Sequence, residues 1–333
     1  VFHRVALFTT LLTLVVVVLG AYVRLSDAGL GCPDWPGCYG QLSVPEAAHD
    51  IAKASQAFPG QTIEAAKAWK EMIHRYVAST LGVLVLILAV LAWRQKRAGH
   101  PVLLPSFLVV LIIFQALLGM WTVTLLLKPV VVMGHLLGGM STLACLSWLT
   151  LRSHPRRRNT PTPDTTRFKG LALAALFLVV AQIALGGWTS ANYAALVCLD
   201  FPACQAGQDI WPETNFADAF AVQQSGLNYE GGVLGQTARA TIHMTHRLGA
   251  LLVFICVAFL ALRLFFASHS LRHIGLTLGG FLSLQIGLGI ANVVYVLPLP
   301  VAVAHNAVAA CLLVTLVWLN HCVRPNNAYQ VST

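Results

Sequence analysis

The chain has 333 residues, 57% hydrophobic and only 10% charged, with a mean hydropathy of +0.73 and a formal net charge of +9. Soluble domains carry about 25% charged residues, so this composition excludes an ordinary soluble enzyme. The positive charge does not point to nucleic acid: its clusters lack interleaved aromatics and flank apolar segments.

Eight apolar stretches, at 5–24, 72–93, 102–126, 129–151, 169–189, 239–265, 273–296 and 300–322, are each long enough to cross a bilayer as a helix. The first lacks a small-residue cleavage site and is echoed by the fifth, so it reads as a membrane helix and not as a signal peptide. The chain opens on Val1, so an initiator or a few further residues are expected ahead of it. A loop over 25–70 follows, with Cys32-Pro33-Asp34-Trp35-Pro36-Gly37-Cys38. The second stretch opens with Glu71, His74 and Arg75, the third carries Gln115, and His135 lies early in the fourth. After an Arg-rich connection and the fifth stretch, the loop 190–237 holds Cys198-Leu199-Asp200-Phe201-Pro202-Ala203-Cys204. His243, His246 and Arg247 open the sixth stretch, Gln285 lies in the seventh, and His305 early in the eighth.

The pattern is therefore stated twice, the two Cys loops standing 166 residues apart. Four helices per copy give both copies the same membrane orientation. The expected architecture is all-α, with eight transmembrane helices in two pseudo-symmetric four-helix bundles. The bundles cover 1–151 and 168–333, and a cytoplasmic linker over 152–167 joins them. The echo of Gln115-Ala116-Leu117-Leu118-Gly119 in Gln182-Ile183-Ala184-Leu185-Gly186 reads as shared helix-packing chemistry, small residues at interfaces. Thirteen of the 21 Lys and Arg fall on the side of the connections 94–101 and 152–169, among them Arg94, Arg156 and Arg263. The positive-inside rule puts that side, with both termini, in the cytoplasm. The Cys loops then face the periplasm of a bacterial inner membrane, where thiols are oxidised, and Cys32–Cys38 and Cys198–Cys204 are expected as disulfides. Zinc binding by these pairs is the rival, as is a catalytic thiol at Cys32 or Cys38. Cys145, Cys256, Cys311 and Cys322 read as free thiols in helices.

Intramembrane histidines are costly and are a functional hypothesis by default. His74 and His246 sit on the second helix of each copy, His135 and His305 on the fourth, all in the outer half of the membrane. One His from each of two facing helices supplies the axial pair of a six-coordinate haem. Zinc or copper wants further ligands that neither copy offers. Arg75 and Arg247 read equally as partners of haem propionates or as interfacial anchors. His243 reads as a hydrogen-bond partner or an alternative ligand. Glu71 stands where the second copy has His243, and reads as a proton relay or cation stabiliser, or as a first-turn acid favoured by the helix dipole. This asymmetry makes the second copy the electron-carrying site and the first the place of chemistry.

These residues together resemble the haem A synthase family, membrane enzymes that convert haem O to haem A for cytochrome oxidase. The resemblance spans the whole chain: eight helices, the duplication, Glu71-x-x-His74-Arg75, His135, His246-Arg247, His305 and a first Cys loop of the cysteine-bearing prokaryotic branch. It implies haem b as cofactor on His246 and His305, with Arg247 beside it. It implies haem O as substrate at His74, His135 and Arg75, with Glu71, His74 and His135 as the catalytic group and Cys32–Cys38 as a disulfide. It further implies stepwise oxidation of the porphyrin C8 methyl to a formyl group, and a lipid-open groove for the farnesyl tail. An electron acceptor, haem O synthase and cytochrome oxidase assembly factors are the partners expected besides lipid. A di-haem cytochrome b that only carries electrons would share the paired histidines but gives no reason for Glu71 or the Cys loops; a haem transporter would use the same ligands for passage.

Overall fold

A computed structural model describes residues 1–96, 101–154, 163–205, 211, 213–267 and 269–324. Eight of its helices are long and apolar enough to cross a membrane. They are α1 (Phe2–Leu25), α3 (Ala65–Arg94), α4 (Leu103–Thr124), α5 (Pro129–Arg152), α7 (Lys169–Ala191), α9 (Gln236–Phe265), α10 (His269–Val294) and α11 (Leu299–Cys322). Helix is the form such sequences take because a lone segment in hydrocarbon must satisfy every backbone group internally. Three short helices, α2 (Ala48–Ala57), α6 (Pro163–Thr166) and α8 (Phe216–Ala219), lie in the connections. The protein is a multi-pass membrane protein. Part of the Arg-rich connection, 155–162, lies outside the described residues.

Two helices differ from expectation at their Cys-loop ends. α3 begins at Ala65 and α9 at Gln236, ahead of the apolar runs, and each has 30 residues. The added turns of α3 are polar enough to read as loop, yet rich in Ala and Lys, which favour helix. As a result Glu71 lies well inside α3, whose first turn holds no acid. The helix-start reading of Glu71 is thereby corrected.

In the first half α1 packs on α3 and α5, and α4 on α3 and α5; in the second half α7 packs on α9 and α11, and α10 on α9 and α11. Each half is thus a ring of four helices. Contacts of α1 with α11, α5 with α7 and α5 with α11 join them. The joint is largely apolar, with Val17, Met140 and Leu143 in one cluster with Ala172, Leu313 and Leu316. Arg24 adds a polar tie across it, donating to Ser190 O (2.7 Å) and the Tyr193 hydroxyl (3.0 Å). The long second loop also reaches the first half, where Tyr229 N donates to Leu126 O at 3.0 Å.

Local geometry is repeated along with the sequence. Leu126 and Leu127 take positive φ between α4 and α5, as Val296 and Leu297 do between α10 and α11. Leu127 N donates to Thr122 O at 2.8 Å and Leu297 N to Asn292 O at 2.7 Å, the same closure at the same place. Both Cys loops close as disulfides, Cys32–Cys38 and Cys198–Cys204, with Cα separations of 4.8 and 4.3 Å. Both contain a cis proline bond, at Trp35–Pro36 and Phe201–Pro202. Cys145, Cys256, Cys311 and Cys322 lie outside these disulfides. Alkylation of the unfolded, unreduced protein therefore marks those four thiols and spares the loop cysteines until reductant is added. Labelling of Cys32 or Cys38 before reduction would contradict the bridges.

Candidate functional site

The four histidines stand at depths matched between the two copies. His74 and His246 lie nine and ten residues into α3 and α9, and His135 and His305 each six residues into α5 and α11. At 1.5 Å per residue these are depths of about 14 and about 9 Å from the Cys-loop ends. Every ring rests on a glycine of a neighbouring helix. A Cβ added to Gly20, Gly119, Gly186 or Gly289 would lie 3.0, 3.4, 3.2 or 3.2 Å from Cε1 of His74, His135, His246 or His305. The absent side chain is what lets each imidazole tuck against the next helix.

The rings fall into the expected pairs. His74 lies within electrostatic reach of His135, and His246 within reach of His305. All four residues are half-buried, so part of each stays accessible, while Nδ1 of His74, His135 and His305 is buried with no hydrogen-bond partner. Unsatisfied buried nitrogens are expensive for a structural histidine. They suit imidazoles that await a ligand. Among the described residues no group of three or more His, Cys, Asp and Glu forms a metal centre of its own. Two histidines from separate helices, flanked by glycine and apolar side chains, match the donor set of a haem iron.

In sequence Gln182 reads as a packing residue. Its Nε2 instead lies 3.0 Å from His246 Nδ1 and donates to His246 O at 2.9 Å. Gln285 Nε2 lies 3.2 Å from His305 Nε2. The sequence signal for these residues is that Gln-x-x-x-Gly recurs within three of the apolar stretches, at Gln115, Gln182 and Gln285.

Glu71 is 5% exposed, one helical turn before His74. Its Oε2 accepts from Cys32 N at 2.9 Å and its Oε1 from Arg75 Nη2. Arg75 also donates to the carbonyls of Asp34 (2.9 Å), Pro36 (3.3 Å) and Gly37. The carboxylate is thus bolted to the first disulfide loop. Gly31 is essential to this approach, because a Cβ there would meet the α3 backbone at Lys67 and Ala68 at 2.7 Å. Asp34 closes the loop from within, accepting from Tyr39 N (2.6 Å) and Gly40 N (2.8 Å). Burial first, then Glu64, Glu71 and Asp34, raise the Tyr39 phenol above its ordinary pKa and keep it a donor, to Thr62 O at 3.1 Å.

Arg247 repeats the Arg75 clamp. It donates to Ala203 O (2.9 Å), Pro202 O (3.2 Å) and Cys198 O (3.2 Å) of the second loop. Of the two readings of these arginines, partners of a haem carboxylate or anchors, the observed contacts are those of loop clamps. Asp200 of the loop is the acid whose charge reaches Arg247, and no carboxylate occupies the helix position that Glu71 holds. In its stead His243, also buried, turns to the Ala194 backbone and leaves Nδ1 without a partner.

A family profile described as cytochrome oxidase assembly protein (COX15-CtaA) matches residues 3–317. Heme A synthase of Shewanella oneidensis is 50% identical over 315 residues, 94% of each chain. Heme A synthases of Bacillus licheniformis and Chelativorans sp. are 28% identical over 320 residues and 27% over 334 residues. They cover 92% and 93% of this chain, and 90% and 88% of their own.

Proposed function

The chain belongs to the haem A synthase family, and from that premise we propose how it divides the work of converting haem O to haem A between its two halves. His246 and His305 hold haem b as the resident cofactor. His74 and His135 receive haem O, whose C8 methyl is oxidised in successive hydroxylations to a hydrated aldehyde that loses water to leave the formyl group. The observation that carries this division is Glu71: a buried carboxylate one turn from His74, with His243 in its place beside His246.

Haem b, when bound, supplies reversible uptake of single electrons, and its bis-histidine ligation suits transfer. The remaining steps belong to side chains of this chain. His74 and His135 orient the substrate so that the reacting edge lies toward Glu71. Glu71 takes the proton released at the reacting carbon through Oε1 or Oε2, or offsets positive charge developing there. Arg75 and the Cys32 amide keep the carboxylate in place, and the disulfide keeps both of those in place. Arg247 does the same for the second loop. We place the Cys loops on the periplasmic side and the basic connections in the cytoplasm, from the charge bias and from the disulfides, which persist in oxidising compartments.

Co-expression with a source of haem O, followed by extraction and chromatography of the haems, tests the reading. Haem A is expected to accumulate. Unchanged haem O beside haem b alone would instead identify an electron-carrying cytochrome.

A further inference from the structure

We infer that Arg239 and Asn292 form a carboxylate site at the outer end of the second histidine pair, there to hold the propionate groups of haem b. The inference rests on the haem reading above and deepens it. Arg239 lies seven residues ahead of His246 on α9. Seven residues are two helical turns, so both stand on one face, with Arg239 about 10 Å nearer the Cys-loop end. Asn292 lies three residues after Gly289, the seat of His305, and so one turn nearer the same end of α10.

Both side chains have unmet polar atoms. Arg239 is half-buried and its Nε is enclosed without a partner. Among the described residues its guanidinium makes no hydrogen bond or ion pair. Asn292 Oδ1 is likewise buried and unpartnered. Other arginines at this end are engaged: Arg247 clamps the second Cys loop, and Arg24 donates to Ser190 and Tyr193. An enclosed guanidinium without a counter-ion is costly, and a carboxylate is the group its planar donors match. Turned over, the Asn292 amide adds an N–H for the same ligand.

The first copy differs at these very positions. In the register that aligns His74 with His246, Glu64-x-x-Lys67 stands where the second copy has Gln236-x-x-Arg239. Lys67 is paired with Glu64 at 3.0 Å, and it lines one cavity with Asp27 and Glu230. Thr122 takes the place of Asn292, and its hydroxyl already donates to Gly119 O at 2.7 Å. One copy thus offers a neutralised lysine and a satisfied threonine, the other an unpaired arginine and an unmet amide. The copy that keeps its haem has the stronger hold on carboxylates, and the copy that must release its product has the weaker.

The test uses full-length protein carrying His74→Ala and His135→Ala, so that only the second pair takes haem, purified from haem-depleted cells. It is titrated in parallel with haem b and with haem b dimethyl ester, in which both propionates are capped. The ester is expected to bind about thirtyfold more weakly, the low end for removing one partner of a buried charge pair. Equal affinity for the two haems overturns the inference, whatever the variants do. Adding Arg239→Met should weaken haem b about thirtyfold and leave the ester unchanged, and Arg239→Lys should recover haem b to within about tenfold. Asn292→Leu should cost haem b about fivefold and spare the ester. Cooperative thermal unfolding of each protein checks its fold. Equal losses for haem b and the ester in Arg239→Met would make Arg239 a structural residue and overturn the inference, as would wild-type affinity for both. Haem b binding unchanged by His246→Ala and by His305→Ala would overturn the second-site reading itself.

Discussion

Replacing His246 or His305 with alanine is expected to reduce haem b in the purified protein to below about a tenth of wild type. Under the proposed assignment the imidazole is the metal bond itself, and even the outer-shell partners of a ligand are typically worth about 10–100-fold in affinity. Either change also strands the support around it. Without His246 the Gln182 amide loses its ring contact and Gly186 faces an empty space; without His305 the same befalls Gln285 and Gly289. The remaining histidine alone gives a five-coordinate site with a different spectrum. Absorption spectra of reduced protein, referenced to protein content, read the result. A wild-type spectrum in either variant would remove the cofactor from this pair.

The second large effect is at Glu71. Glu71→Gln is expected to keep the haem b spectrum and to lower haem A formation about 10²–10⁴-fold, the usual contribution of a positioned acid or base. Glutamine is the informative replacement. It keeps a carbonyl oxygen for Cys32 N or for Arg75, whereas alanine leaves the Arg75 guanidinium without its buried partner, a loss worth about 3–5 kcal/mol. Haem chromatography after co-expression with a haem O source measures the outcome, and haem O or its alcohol should build up. Undiminished haem A would reduce Glu71 to a brace for the Cys32 loop.

Much of the scaffold was legible because it depends on composition. Eight apolar runs dictate eight helices, and the twin C-x5-C loops declared the repeat. Helix ends were less legible: hydropathy cannot see the polar turn at Ala65, so Glu71 seemed to start a helix that in fact begins before it. The four histidines were legible as intramembrane ionisable groups at repeated positions. Their seats were not, because Gly20 and Gly186 become seats only when α1 and α7 meet α3 and α9. Arg75 and Arg247 were legible as a pair but not in their contacts, which depend on how each Cys loop folds back over its helix. A sharper clue was available. An arginine at the same place in both copies, always accompanied by a C-x5-C loop, suggests a clamp for that loop. At Gln182 a packing motif and a histidine support share one sequence, and only the contact with His246 separates them.

The central claim is that a duplicated scaffold has divided its two histidine pairs between a haem that stays and a haem that is altered. The most direct measurement is the number and type of haems per chain in protein purified from cells that make haem O. The account predicts one haem b per chain with haem O or haem A in smaller amount, the latter lost on His135→Ala while haem b remains. Two haem b groups per chain in equal occupancy, unaffected in kind by supplied haem O, would contradict it.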